Sequence, residues 1–281
     1  MTRSILRFSF IAVVLLAGVS CSQYQKTLKS DDLEYKYEQA TKYYEDGEFF
    51  KAMTLYEELI GLYRGLGKAE QIYYYYAYCH YYLEDYIMAG FYFKNFIRTY
   101  PNSKHAEESM FLSAYCYYLN SPPPSLDQTS TYKAINEMQL FANRYPKSEK
   151  VSECNDLIDV LRDKLEKKAY DNSKLYFNLR EYKASIVAFN NVIKDFPDTQ
   201  YKEQVLFFIL KSNYLWAVNS IDSKKKERLD ETIEAYEKFE SYHPPVAELG
   251  EEGDGTGASK NLAKQAESIL KDTRKQLDNL S

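Results

Sequence analysis

FYFKNFIRTYPNS, residues Phe91–Ser103, ends an amphipathic run on an aromatic residue followed by proline. The same cadence returns as MQLFANRYPKS (138–148), AFNNVIKDFPDT (188–199) and AYEKFESYHPP (235–245). Each copy leads through helically spaced apolar residues to an aromatic or His, then to Pro101, Pro146, Pro197 or Pro244. Proline cannot continue a helix, and it pushes the preceding residue out of the α region. In the first three copies a Ser or Thr stands two places after the proline: Ser103, Ser148 and Thr199. The spacing predicts that this hydroxyl N-caps the next helix. The phrase is therefore a helix–turn–helix joint, and its recurrence points to a repeat architecture.

A finer register lies inside each unit. Ala40, Tyr43, Gly47, Phe49, Ala52, Tyr56 and Leu59 form one set; Ala77, Tyr86, Ala89, Phe93, Phe96 and Pro101 form the next. Ala40 to Ala77, Ala52 to Ala89 and Tyr56 to Phe93 are each a 37-residue step. A third unit offers Ala114, Ala134, Met138, Phe141 and Pro146, stretched by a rigid loop, SPPPSLDQTS, at 121–130. Tyr176, Tyr182, Ser185, Phe189, Val192 and Pro197 mark a fourth, and Tyr236, Phe239 and Pro244 a fifth. Small residues stand where two helices must cross closely, and aromatics where successive pairs leave gaps. No pair buries its apolar face alone, so the pairs must stack. The expected fold is all-α, a right-handed superhelical TPR-like solenoid of about five helix pairs.

Between the third and fourth units, Ser148 to Leu179 carries no Pro or Gly and reads as one long bridging helix. The charged stretch DSKKKERLDE (222–231) reads as an insertion in the fifth repeat, and PPVAELGEEGDGTGAS as an acidic, Gly-rich, disordered linker. The final SKNLAKQAESILKDTRKQLDNL places Leu262, Ala266, Ile269, Leu270 and Leu277 on one face of a helix. Terminal repeats need a cover, so a cap is favoured over a partner-docking helix.

The first residues, MTRSILRFSFIAVVLLAGVSC, set Arg3 and Arg7 before an apolar run too short to span a bilayer, then small residues before Cys21. That is a secretory leader, and its end at a cysteine resembles a bacterial lipoprotein signal, although Gly18 stands where that signal usually has Leu. The resemblance implies acylation and cleavage at Cys21. The expected organisation is a signal peptide at 1–20, a lipidated linker at 21–30 and N-terminal repeats at 31–147. The long helix and C-terminal repeats follow at 148–244, the acidic linker at 245–258 and the last helix at 259–281.

The 281-residue chain has a formal net charge of −5, and removing the leader removes two arginines and no acid. Nucleic acid and polybasic membrane binding both require a basic stripe, so neither is expected. Cys79, Cys116 and Cys154 sit in apolar helical contexts and read as buried free thiols, though an oxidising compartment would permit one disulfide. His80, His105 and His243 are far apart and fit no metal-ligand spacing. No nucleophile elbow, P-loop or dinucleotide fingerprint is present. No catalytic residue, metal or cofactor is therefore expected, apart from acyl chains on Cys21.

Tyrosine is the conspicuous residue, 29 against a single Trp. QIYYYYAYCHYYLEDY (71–86) is its densest stretch. Part of it must be core. The rest, with Tyr37 and Tyr44 flanking Ala40 and Tyr74 and Tyr81 flanking Ala77, is expected to line a peptide groove, with Tyr78 on the same face. Tyr joins a rigid apolar ring to a hydroxyl, which suits an extended peptide.

The leader, the YPNS, YPKS and FPDT joints and the segment LIDVLRDKLEKKAYDNSKLYFNLREYKASIVAFNNVIKDFPDT together resemble the BamD family over roughly residues 21–244. These are TPR lipoproteins of the outer-membrane β-barrel assembly machinery. The resemblance implies an outer-membrane, lipid-anchored scaffold facing the periplasm. It implies that the C-terminal half binds a BamA-type barrel protein through its POTRA region. It also implies that the N-terminal repeats hold the C-terminal segments of unfolded outer-membrane proteins. The first acid after Cys21 is Asp31, which agrees with the periplasmic face. The alternative is another periplasmic TPR lipoprotein that scaffolds cell-wall or pilus machinery; a glycan binder would be expected to present exposed Trp platforms.

Overall fold

The computed structural model describes residues 23–242 and 256–280. The leader, Cys21, His243, Pro244 and residues 245–255 of the expected linker lie outside the described residues. The elements are α1 (residues 23–28), α2 (Leu33–Glu45), α3 (Phe49–Leu62), α4 (Ala69–Tyr82), α5 (Tyr86–Thr99), α6 (Ala106–Leu119), α7 (Thr129–Arg144), α8 (Lys150–Asn178), α9 (Tyr182–Asp195), α10 (Lys202–Val218), α11 (Asp222–Tyr242) and α12 (Thr256–Asp278). Among the described residues there is no strand, and no helix is long and apolar enough to cross a membrane. The chain is all-α and TPR-like, built of helix pairs. It divides into two compact units between Leu161 and Arg162, inside α8.

In the first unit each helix from α2 to α7 packs on the next. The crossings fall on Ala40, Ala52, Ala77, Ala89, Ala114 and Ala134, all fully buried. Without bulk there, the helices approach closely, and Tyr56, Phe93, Phe96 and Phe141 fill the space between pairs. The α5–α6 crossing is close at Gly90. The Ser113 hydroxyl donates to the Gly90 carbonyl at 3.0 Å, and a Cβ at Gly90 would lie 3.2 Å from that of Cys116.

Between α2 and α3, α4 and α5, and α8 and α9 the turn is set by one left-handed residue. Gly47, Glu84 and Arg180 have φ of 77°, 61° and 64°. In each case the next N–H reaches five residues back: Glu48 to the Tyr43 carbonyl, Asp85 to His80 and Glu181 to Tyr176, at 2.8–3.0 Å. This is the Schellman motif, which satisfies the last carbonyls of the outgoing helix. It reverses the chain in three residues and makes the pair antiparallel.

Between pairs the proline joint differs from its expected form. Ser103, Ser148 and Thr199 do not N-cap helices. Each accepts from the N–H two residues on, at His105, Lys150 and Tyr201, at 3.0–3.2 Å. The cause is a tight turn over the proline, closed by the Ser103 N–H to the Tyr100 carbonyl and its counterparts at Ser148 and Thr199. A second turn follows before helix begins, so the hydroxyl stands too early to cap it. Instead Ser103 donates to Glu70 at 2.6 Å and Thr199 to Glu166 at 2.5 Å. Both partners lie 33 residues back, so the joint ties the end of a pair to its beginning.

The expected rigid loop at 121–130 is observed between α6 and α7, with its last two residues opening α7. Gln128, buried, donates to the Pro123 and Leu126 carbonyls and accepts from the Thr131 hydroxyl. Its single side chain thereby holds the loop against the helix start.

The second unit takes in the end of α8 and α9–α12. Tyr170, Phe189, Val192, Phe207, Leu210 and Phe239 form its core. The stretch at 222–231 is not an insertion but the start of α11. Its charges are accommodated on the helix, Lys224 pairing with Glu227 at 2.8 Å, while Leu229 is fully buried. Arg228 lies 3.8 Å over the Trp216 ring. The last helix covers the unit, as expected of a cap. Ala266 is 1 % exposed, Leu262 and Ile269 pack on the core, and the Tyr214 hydroxyl donates to Asp272 at 2.5 Å.

Cys79, Cys116 and Cys154 are free and buried. Burial pushes the first two thiols up to about 12 and the third to about 11, which leaves them inert.

The turn account makes a signed prediction. Gly47→Ala places a Cβ in the left-handed region and is expected to cost about 1 kcal/mol. Glu84→Gly is expected to raise stability by up to about 1 kcal/mol. Urea denaturation of the two variants, followed by circular dichroism, checks both signs.

Candidate functional site

The first helix of each pair in the first unit carries the same pattern. Three places before the crossing alanine stand Tyr37, Tyr74 and Phe111; four places after it stand Tyr44, Tyr81 and Tyr118. The 37-residue step thus extends to α6. Helical geometry puts these positions on one face, and the structure joins them into a network running from α2 through α4 to α6.

Hydrogen bonds form one rail of that network. The Tyr37 hydroxyl donates to Gln71 Oε1 at 2.8 Å, and the Tyr74 hydroxyl donates to Glu108 Oε2 at 2.5 Å. Each reaches 34 residues ahead, to the start of the next pair's first helix. Glu108 also accepts from the Tyr78 hydroxyl at 2.5 Å. Its carboxylate lies in the first turn of α6, where the helix dipole favours negative charge. Gln71 donates onward to the Tyr75 hydroxyl at 3.2 Å.

Ring contacts form the other rail. Tyr44 stacks on Tyr75 with centroids 4.6 Å apart, and Phe49 stacks on Tyr82 at 4.4 Å. Tyr82 lies against Tyr78 at 5.6 Å, and Tyr78 meets Tyr74 edge-on at 4.9 Å. Tyr81 follows Tyr78 at 6.2 Å, and His105 stacks on Tyr74 at 4.1 Å. Such pairs add order 1 kcal/mol each beyond the area they bury.

All five tyrosines expected at the groove are in this network, but they differ in access. Tyr74 is 7 % exposed and supports the others from within the core. Tyr37, Tyr44, Tyr78 and Tyr81 are half-buried. Tyr82, outside the expected set, is 47 % exposed. Tyr75, Phe49, Gln71 and Glu108 were also outside it. The signal for Tyr75 and Tyr82 was their spacing of two helical turns on α4. The signal for Gln71 and Glu108 was their matched place six residues before Ala77 and Ala114.

Burial raises the hydroxyls of Tyr37, Tyr44, Tyr74, Tyr78 and Tyr81 above the ordinary tyrosine value. For Tyr74 and Tyr78 the hydrogen bond to Glu108 adds to the rise. The face therefore joins neutral rings and uncharged hydroxyls, at any physiological pH, to the Glu108 carboxylate at its α6 end. It offers stacking surface and hydrogen bonds, with no nucleophile activated among them. Among the described residues no cluster of His, Cys, Asp and Glu could hold a metal ion. His80 is buried beside Asp85, its Nδ1 3.2 Å from Oδ2.

The family model YfiO, described as outer membrane lipoprotein, matches residues 30–229. The outer membrane protein assembly factor BamD of Caulobacter vibrioides is 26 % identical over 136 residues, 48 % of this chain and 45 % of that protein. The match thus takes in less than half of that relative's length. A putative outer membrane protein assembly factor BamD of Aquifex aeolicus is 25 % identical over 248 residues, 87 % of this chain and 80 % of that one. Among solved structures, the TPR2AB domain of yeast Sti1 in complex with pHSP90 covers 88 % of this chain and 96 % of its own, at 14 % identity and a TM-score of 0.38. That likeness is too loose to carry an argument.

If Glu108 is the shared acceptor of two hydroxyls, Tyr74→Phe should cost about 1 kcal/mol in the native background. The same change should cost markedly less when Glu108→Ala is already present. A double-mutant cycle by chemical denaturation measures that coupling.

Proposed function

Because the chain belongs to the YfiO family of outer membrane lipoproteins, a family of assembly scaffolds rather than enzymes, we propose that it is an outer membrane protein assembly factor. In this reading Cys21 carries the acyl chains that hold the protein on the periplasmic side of the outer membrane. Several chains together anchor stably where one would not. The C-terminal half engages a BamA-type barrel protein through its POTRA region. The aromatic face of α2, α4 and α6 holds the C-terminal segments of unfolded β-barrel proteins until they reach the barrel.

The observation that carries the reading is the aromatic face itself. An extended segment ending in an aromatic side chain can lay its ring against Tyr44, Tyr78 or Tyr82, while neutral hydroxyls meet its open backbone groups. Rigid aromatics lose little conformational freedom on binding. Stacking on tyrosine rings tolerates many client sequences, as a factor serving many barrels requires. The net charge of −5 fits protein clients rather than nucleic acid.

Affinity purification of the tagged, full-length protein from outer membranes, with mass spectrometry of the lipidated N-terminus, tests the reading. It predicts acyl chains on Cys21 and a POTRA-bearing barrel protein in near-equal amount. An acylated Cys21 accompanied by cell-wall or pilus components, without such a barrel, would replace it with a different scaffold. An unmodified Cys21 would remove the anchor.

A further inference from the structure

A second surface of the first unit is independent of the aromatic face. A cleft of about 860 Å³ lies between α5 and α7, with α6 as its floor. On the α6 side Met110 and the buried Ser113 line it. The Ser113 hydroxyl is already committed to the Gly90 carbonyl, so the floor there offers no polar demand of its own.

The walls are periodic. Phe91 and Arg98 on α5 stand two helical turns apart with Lys94 between them; Glu137 and Arg144 on α7 stand two turns apart with Leu140 between them. Phe91 is 53 % exposed and Leu140 46 %, so each helix presents a large apolar side chain to the opening. The charges are asymmetric. Lys94 is neutralised by Glu137 at 2.5 Å. Arg98 and Arg144 are exposed, and among the described residues no carboxylate lies within ion-pair distance of either. Both occupy the last turns of their helices. The helix dipoles account for basic residues there, but not for the exposed Phe91 and Leu140 on the same two walls.

We propose that this cleft docks an amphipathic helix of another protein. Its apolar stripe would lie against Phe91 and Leu140, and its carboxylates would meet Arg98 and Arg144. A helix fits two walls of helical period separated by a one-helix floor. Guanidinium groups pair with carboxylates through two parallel hydrogen bonds, which sets the direction in which the helix lies. A recessed cleft favours an inserted helix over a flat lipid surface. The proposal stands whether or not the aromatic face binds barrel segments.

The test is a photo-crosslinking amino acid at Leu140 in the full-length, membrane-anchored protein in the cells that make it. Mass spectrometry then identifies the joined peptides. The expected adduct is a helix-forming segment of one other protein with Asp or Glu within a turn of the crosslinked residue. Arg98→Glu with Arg144→Glu should cut its yield at least fivefold, and Arg98→Gln with Arg144→Gln should give a smaller loss. Far-UV circular dichroism and the urea midpoint should stay unchanged in both, as an unfolding artefact would not allow. Adducts with lipid, adducts with a second copy of this chain, an unaltered yield in the charge-reversed variant, or no adduct would each overturn the proposal.

Discussion

The first unit depends on how closely its helices cross. Ala40, Ala52, Ala77, Ala89, Ala114 and Ala134 are all fully buried, and Gly90 removes even a methyl group where α5 meets α6. Close crossing brings backbones together but leaves voids to either side, and voids forfeit dispersion contacts. Large rings at fixed distances from each alanine fill them. Phe93, Phe96 and Phe141 do so toward the second helices of the pairs. Tyr37, Tyr44, Tyr74, Tyr78 and Tyr81 do so along the first helices. The aromatic face is therefore a by-product of the same crossing geometry that makes the core, and the two share residues such as Tyr74.

The repeats were legible because their signals are local. Proline after an aromatic residue stops a helix wherever it occurs, and a small residue every 37 positions marks a crossing without reference to partners. The long helix over 150–178 could be read from the lack of breakers. What could not be read depends on contacts across repeats. Ser103 and Thr199 have the residue type of an N-cap, yet turn geometry sends their hydroxyls to Glu70 and Glu166. Glu84 and Arg180 occupy left-handed positions without the glycine that announces Gly47. The charges at 222–231 hid the helix because only Leu229 on their turn is buried deeply.

Register places Tyr37, Tyr44, Tyr74, Tyr78 and Tyr81 on one face, but register is blind to depth. Helical spacing says which side chains share a side; it does not say how far a neighbouring pair covers them. His105 stacks over Tyr74 from the start of the third pair, which closes that position and leaves Tyr82 at the surface. Glu108 shows the same limit: its role follows from a partner 34 residues away. The first unit thus presents two chemically distinct surfaces, a tyrosine-rich face on its first helices and a basic-edged apolar cleft between α5 and α7. Their contrast suits a scaffold that engages more than one kind of partner.

The central claim is that the aromatic face recognises extended segments with a terminal aromatic residue. Fluorescence anisotropy with a labelled ten-residue peptide from the C-terminus of an outer-membrane β-barrel protein, titrated with the full chain, tests it most directly. The account predicts saturable binding that weakens roughly tenfold in Tyr44→Ala, the loss of about 1.4 kcal/mol expected of an aromatic contact residue. It also predicts a comparable loss when the peptide's last aromatic residue is replaced by Ala. Equal binding by wild type and Tyr44→Ala, or indifference to the peptide's terminal ring, would contradict it.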